Sequence, residues 1–269
     1  MKDDGWTLVS GKRVSRNKVS SHFGSLHSCA GADDTTIQKS VSRIENMITG
    51  TLNSSQKFIK HLVKTLNGRL RITNGTRLVA LGCGTPTNST LPLIRSCSFQ
   101  WNICIILRDI FELDSVDIFD PVMTSTDRNI WDLLINKRHI SKATQCGFLY
   151  SNTIYDTHDE DFEGKDAQLL LYMPHCEAFL YKEILNGVSQ GKDPLDSAKQ
   201  LANLDTNSDL RRNYDLERTV LIGNSITRYQ KEDCSFLPQK IVKNMTETPL
   251  QDFPEHTEAF NNTFIITFT

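Results

Sequence analysis

Hydrophobic positions fall into two patterns that alternate from about residue 33 onward. The first is the short apolar run. Residues 77–81, 115–119, 169–173 and 218–222 are rich in Val, Leu, Ile and Phe, and each run ends at once in Gly, Asp or Pro. Runs without polar alternation predict strands buried on both faces, the mark of a parallel sheet. A further run at 264–268 predicts a final strand. The second pattern is a stripe repeating every three to four residues. Ile37, Val41, Ile44, Met47 and Ile48 form one stripe, and Phe58, Leu62, Val63 and Leu66 form another. They predict one or two amphipathic helices over 33–67 that cover the sheet and stop at Asn67-Gly68.

Further helices are predicted over 91–112, over 127–136 with Ile130, Leu133 and Leu134 inward, and over 177–188 with Phe179, Leu180, Ile184 and Leu185 inward. Strand, glycine turn, helix at 77–112 is the opening of a nucleotide-binding βαβ unit. A third strand near 139–143 or 148–151 is weakly signalled, 156–166 reads as an acidic loop, and 238–254 reads as a loop with three prolines. The expected fold is a three-layer, Rossmann-like α/β domain with a mostly parallel sheet and N-terminal amphipathic helices. Its expected limits are 33–269, with 1–32 a disordered tail, 33–67 a helical packing segment and 189–214 a polar insertion, helical near 195–201.

Composition narrows the class. At 269 residues, 38% hydrophobic and net charge −2, the chain has no basic excess that would argue for nucleic acid. Apolar runs fall short of the roughly 20 residues of a membrane-spanning helix, and 1–6 has no secretory core. Cys29, Cys83, Cys97, Cys104, Cys146, Cys176 and Cys234 are scattered with no CxxC pair, which argues against a disulfide framework and for a reducing compartment. Lys12, Arg13, Arg16 and Lys18 form a basic cluster, read as solvated tail in preference to a nuclear-import or anion-binding segment. Arg95, Gln100 and Arg108 in the long helix read as solvent or interface contacts, and Trp101 and Trp131 as at least partly buried.

Candidate chemistry gathers at the strand ends, where open α/β sheets bind ligands. Gly82, Cys83 and Gly84 follow the first strand, Asp120 the second, His175 and Cys176 the 169–173 strand, and Asn224 and Ser225 the next. In a 3-2-1-4-5 strand order the first and fourth strands are neighbours, bringing Cys83 and His175-Cys176 to one crevice. Leu-Gly-Cys-Gly at 81–84, Phe-Asp-Pro at 119–121, Tyr-Met-Pro-His-Cys at 172–176, Ile-Gly-Asn-Ser at 222–225 and Ala-Phe-Asn-Asn at 259–262 together resemble the family named for the plant "sensitivity to red light reduced" protein. The likeness covers about 70–229 and 259–268, and fungal members are of similar length. It implies a regulatory role in light and clock signalling, haem metabolism or microtubule stability, protein partners, and a cytoplasmic location with the nucleus as a second. It brings no settled activity. Cys83 departs from the small polar or aromatic residue expected between those glycines.

Several chemistries suit these residues. A nucleotide or S-adenosylmethionine would lie along 82–90 with its ribose on Asp120, Asn224 and Ser225 donating to its anionic groups, as in a transferase. The loop lacks a full G-x-G-x-x-G, so the glycines also fit a plain tight turn. Cys83, His175 and Cys176 carry the donor types of zinc or haem iron, yet adjacent residues on an extended chain point opposite ways. Cys176 as thiolate nucleophile with His175 as base meets the same objection. In the remaining reading the protein is an interaction scaffold, whose strand-tip residues serve turn geometry and Ser225 caps a helix.

Overall fold

The structure, a computed structural model, describes residues 34–67, 76–87, 91–113, 115–136, 168–174, 176–204, 214–251, 260 and 262–269, without the side chains of 91–95. The expected tail, third strand and acidic loop, together with Arg95's side chain and His175, lie outside the described residues. The described residues contain six strands: β1 (Arg77–Leu81), β2 (Ser115–Phe119), β3 (Leu169–Met173), β4 (Thr219–Asn224), β5 (Met245–Pro249) and β6 (Thr263–Phe268). They form one sheet in the order β2-β1-β3-β4-β6-β5. β2, β1, β3 and β4 are parallel, and β6 and β5 add an antiparallel edge. The 77–81 and 169–173 strands are neighbours, as expected.

Alternation across the pleat explains the unbroken apolar runs, because both faces are covered. Leu78, Ala80, Leu170, Tyr172, Val220 and Ile222 face one hydrophobic cluster. Val79, Leu81, Leu169, Leu171, Met173 and Leu221 face another. The first is covered by α1 (Asp34–Ser54), α2 (Gln56–Asn67), α3 (Leu91–Phe111) and α4 (Ser125–Ile135). The second is covered by α5 (Ala178–Val188), α6 (Pro194–Leu201), α7 (Ile226–Glu232) and α8 (Gln239–Lys243). This is the three-layer α/β arrangement.

Helix α3 decides how the first layer is built. Phe99, Trp101, Ile103, Cys104, Ile105, Leu107 and Phe111 are buried on all sides of it, so it needs cover on its outer face as well as on the sheet. Helix α1 supplies that cover, packing chiefly on α3 and α4 where cover for the sheet was expected. Trp101 stacks edge-on against Trp131 of α4 at 5.3 Å. Gln100 and Arg108 are buried, against expectation. Arg108 is neutralised by its neighbour Asp109, with Nε 2.7 Å from Oδ1, and also donates to the Ile135 carbonyl.

Three expectations shift by a register or an element. Leu133 and Phe179 are exposed, not inward. The buried stripe of α5 runs Tyr181, Ile184, Leu185, Val188, and Phe179 lies two residues, about 200°, from its start. The loop expected over 238–254 contains α8 and β5. β5 reads Met-Thr-Glu-Thr-Pro, with no apolar run, because it is an exposed edge strand. The bonds Thr269 N to Asn244 O and Leu250 N to Thr263 O direct even-numbered residues toward β6. Pro249 therefore turns its missing N–H outward, where it costs no ladder bond.

The polar segment after α5 is fastened to the sheet. Arg77, buried at the start of β1, holds Asp117 of β2 at 2.7 Å, Tyr214 Oη at 2.6 Å and Asp193, the N-cap of α6. Burial alone would lower its pKa, but Tyr214 and Asp117 outweigh that and raise it. Replacing Arg77 with Ala removes the cationic partner of Asp193, whose side chain is largely buried and keeps only the capping bond from the Leu195 N–H. We expect a loss of about 3 kcal/mol, measured as a lower urea midpoint at unchanged m, with Arg77→Lys intermediate. A midpoint equal to the parent's would show that the network does not hold the segment.

Candidate functional site

The glycine turn after β1 is tightly packed. Gly82 and Gly84 adopt φ of 69° and 66°, the left-handed region that glycine enters without strain. A Cβ at Gly82 would come 2.5 Å from Cys176 Sγ, and one at Gly84 would collide with Cys97 Sγ. Both glycines are thus required by the chain's own side chains. Cys176 Sγ also lies 3.3 Å from the Leu81 carbonyl, to which it donates.

The two acidic residues beside this turn have internal partners. Asp120, at the tip of β2, accepts the Gly84 N–H at 2.8 Å on one oxygen and the Val122 N–H at 3.0 Å on the other. Asp127 of α4 is fully buried. It accepts the hydroxyls of Thr85 at 2.6 Å, Thr87 at 2.7 Å and Thr124 at 2.7 Å, and the Thr124 N–H at 2.9 Å. Thr124 and Asp127 form a capping box at the start of α4. A single carboxylate therefore ties the β1 turn to the start of α4. Arg43 of α1 adds a further tie, donating to the Pro86 carbonyl at 2.9 Å.

The β3 and β4 tips are joined by tyrosines. Tyr181 donates its hydroxyl to the Met173 carbonyl and accepts the Asn224 N–H at 2.7 Å. A Cβ at Gly223 would collide with that hydroxyl. The Asn224 amide donates to Tyr229 Oη at 2.8 Å. Ser225 caps α7 by accepting the Arg228 N–H at 3.1 Å and donates to Glu247 at 2.9 Å. The other Glu247 oxygen accepts the Thr227 N–H at 2.8 Å.

The thiols do not converge. Cys83 sits in the α3-side cluster and Cys176 in the α5-side cluster, on opposite faces of the sheet. Burial, helped by a hydrogen bond with Cys104, pushes the Cys83 thiol well up. Burial, then the charges of Asp120 and Glu177, push the Cys176 thiol up too. Both are held as neutral thiols, the poor form for attack or ligation. Among the described residues no three His, Cys, Asp or Glu side chains are placed to hold a metal.

The ends of β1, β2 and β3 fall where the sequence reading put them, but that reading missed Asp127, Tyr181, Tyr229 and Glu247. The spacing Thr124-x-x-Asp127 was a readable capping signal; Tyr181 and Glu247 act between elements distant in sequence, and Tyr229, five residues from Asn224, follows no recognised motif. Phe260, in the Ala-Phe-Asn-Asn stretch, is a core anchor between Phe58 at 5.0 Å and Phe99 at 5.8 Å.

Compared with known families, residues 54–267 match the family described as SRR1 domain. No curated protein and no solved structure matches the chain.

Brief alkylation at pH 8 followed by mass mapping is expected to modify the exposed Cys234 and to spare Cys83, Cys104 and Cys176 until the protein unfolds. Cys83 and Cys176 ionise near the ordinary 9.0 only in the unfolded chain. Their stabilisation is therefore complete below about pH 9 and falls away as pH rises above it. Rapid native labelling of Cys176 would contradict the closed geometry.

Proposed function

The chain belongs to the SRR1-domain family, and from that premise we propose that it is a regulatory protein that acts by binding other proteins, with no catalysis at the strand tips. The observation that carries this reading is the mutual engagement of the tip residues. Asp120 is taken up by two backbone N–H groups, Ser225 by Glu247 and the start of α7, and Asn224 by Tyr229. A ribose or anionic ligand would have to compete with these bonds for the same part-buried groups. Nucleophilic chemistry would need a thiolate, which burial disfavours here.

The same edge offers an apolar contact to a larger partner. Val122, just beyond the β2 tip, and Phe179, in the first turn of α5, are 60% and 55% exposed. Exposed aromatic and aliphatic side chains are the usual anchors of protein interfaces. The setting we propose is the cytoplasm, with the nucleus as a second location; no described helix is long and apolar enough to cross a membrane. Regulation through partners also fits the signalling, haem-related and microtubule-related roles that the family resemblance implies.

Thermal melting with S-adenosylmethionine, nucleotides and haem tests the reading directly. No stabilisation is expected, whereas a ligand at one hundred times its Kd would add about 2.7 kcal/mol. The double variant Val122→Asp, Phe179→Asp is expected to melt like the parent and to lose the proteins cross-linked to the parent in its native cells. A ligand-induced rise in Tm abolished by Asp120→Ala, or an unchanged set of cross-linked proteins, would overturn it.

A further inference from the structure

At the opposite edge of the sheet, where the parallel strands begin, the 3-10 turn Leu216–Arg218, helix α8 and the end of β6 enclose a cleft of about 290 Å³. At about 30 Å³ per water, this is room for roughly ten waters or a molecule of similar bulk. Leu216, Pro238, Ile241 and Phe268 contribute its apolar lining. Glu217 on the turn and Lys240 on α8 stand on different elements of its wall. Both are exposed, and neither side chain has an ion-pair or hydrogen-bond partner among the described residues. Asp215, which also lines the cleft, is engaged in capping the turn through the Glu217 N–H at 3.2 Å.

We propose that this cleft binds a small zwitterion with an apolar body, of the size and chemistry of an aliphatic α-amino acid. An apolar lining with a few polar groups is the usual make-up of a small-molecule site. The two unpaired charges of opposite sign set the ligand's polarity: the ammonium is held by Glu217, with Asp215 beside it, and the carboxylate by Lys240. Pro238, which fixes the entry to α8, and the register of β6 against β4 hold the two walls in place. The site lies apart from the strand tips, so it does not rest on the partner-binding reading of that edge.

Heteronuclear NMR of the isotope-labelled protein, titrated separately with L-leucine, n-pentylamine and hexanoate, tests this. L-Leucine is expected to give saturable shifts centred on Leu216, Ile241 and Phe268 and to bind more tightly than either singly charged analogue. Glu217→Gln and Lys240→Gln, both at exposed positions, are each expected to weaken leucine about fivefold, as loss of one exposed charge contact does. Pentylamine should respond to the first substitution alone and hexanoate to the second alone. Absence of saturable shifts, shifts centred elsewhere, an analogue binding as tightly as leucine, or a substitution that leaves leucine's Kd unchanged would overturn the proposal.

Discussion

A carboxylate cannot be buried without partners, and Asp127 is buried completely. Its partners come from two places that are far apart in sequence: Thr85 and Thr87 after β1, and Thr124 before α4. Satisfying this one group fixes the path of the glycine turn, which in turn carries Gly84 to Asp120 and Gly82 against Cys176. Cys176, which comes close to Gly82, stands two residues before α5. From α5, Tyr181 reaches the last residue of β3 and the last of β4. Much of the strand-tip edge thus follows from one buried carboxyl side chain and the hydroxyls around it.

The consequence is an edge at which Asp120, Asn224 and Ser225 all have partners within the chain. In open α/β sheets this edge commonly receives a ligand. Here the groups suited to that role, Asp120, Asn224 and Ser225, have protein partners, and the anion-accepting start of α7 faces Glu247 of the antiparallel edge. That edge strand is held against β6 and contributes the Glu247 side chain to the neighbouring helix. The rest of the stability comes from two apolar clusters separated by the sheet, with α3 buried between the sheet and α1.

Sequence periodicity made the parallel core legible, because strands buried on both faces leave unbroken apolar runs that few other elements produce. The neighbouring placement of 77–81 and 169–173 followed from taking the 3-2-1-4-5 strand order of doubly wound sheets. Helix faces were less legible. Phe179 and Leu133 are large and apolar and were read as inward, but a stripe is defined by its angle, and theirs pointed away. β5 was invisible because an edge strand's stability comes from its partner β6 and its own residues stay polar. At the site, residue types could be located and their pairing could not. Whether Asp120 meets a ribose or a backbone N–H depends on a turn conformation set by Thr85, Thr87 and Asp127, more than forty residues apart at their widest. Gly82 and Gly84 read equally well as a ligand cradle and as a tight turn until the Cys176 and Cys97 sulfurs filled the space beside them.

Amide hydrogen exchange at Gly84, Thr124 and Asn224 tests the central claim most directly, since these N–H groups are donated to Asp120, Asp127 and Tyr181. If the strand tips are closed by the chain's own groups, all three are protected to the level of the central strands and exchange only on large-scale opening. Exchange as fast as that of an exposed loop would contradict it, and would mean that the edge stands open to a ligand.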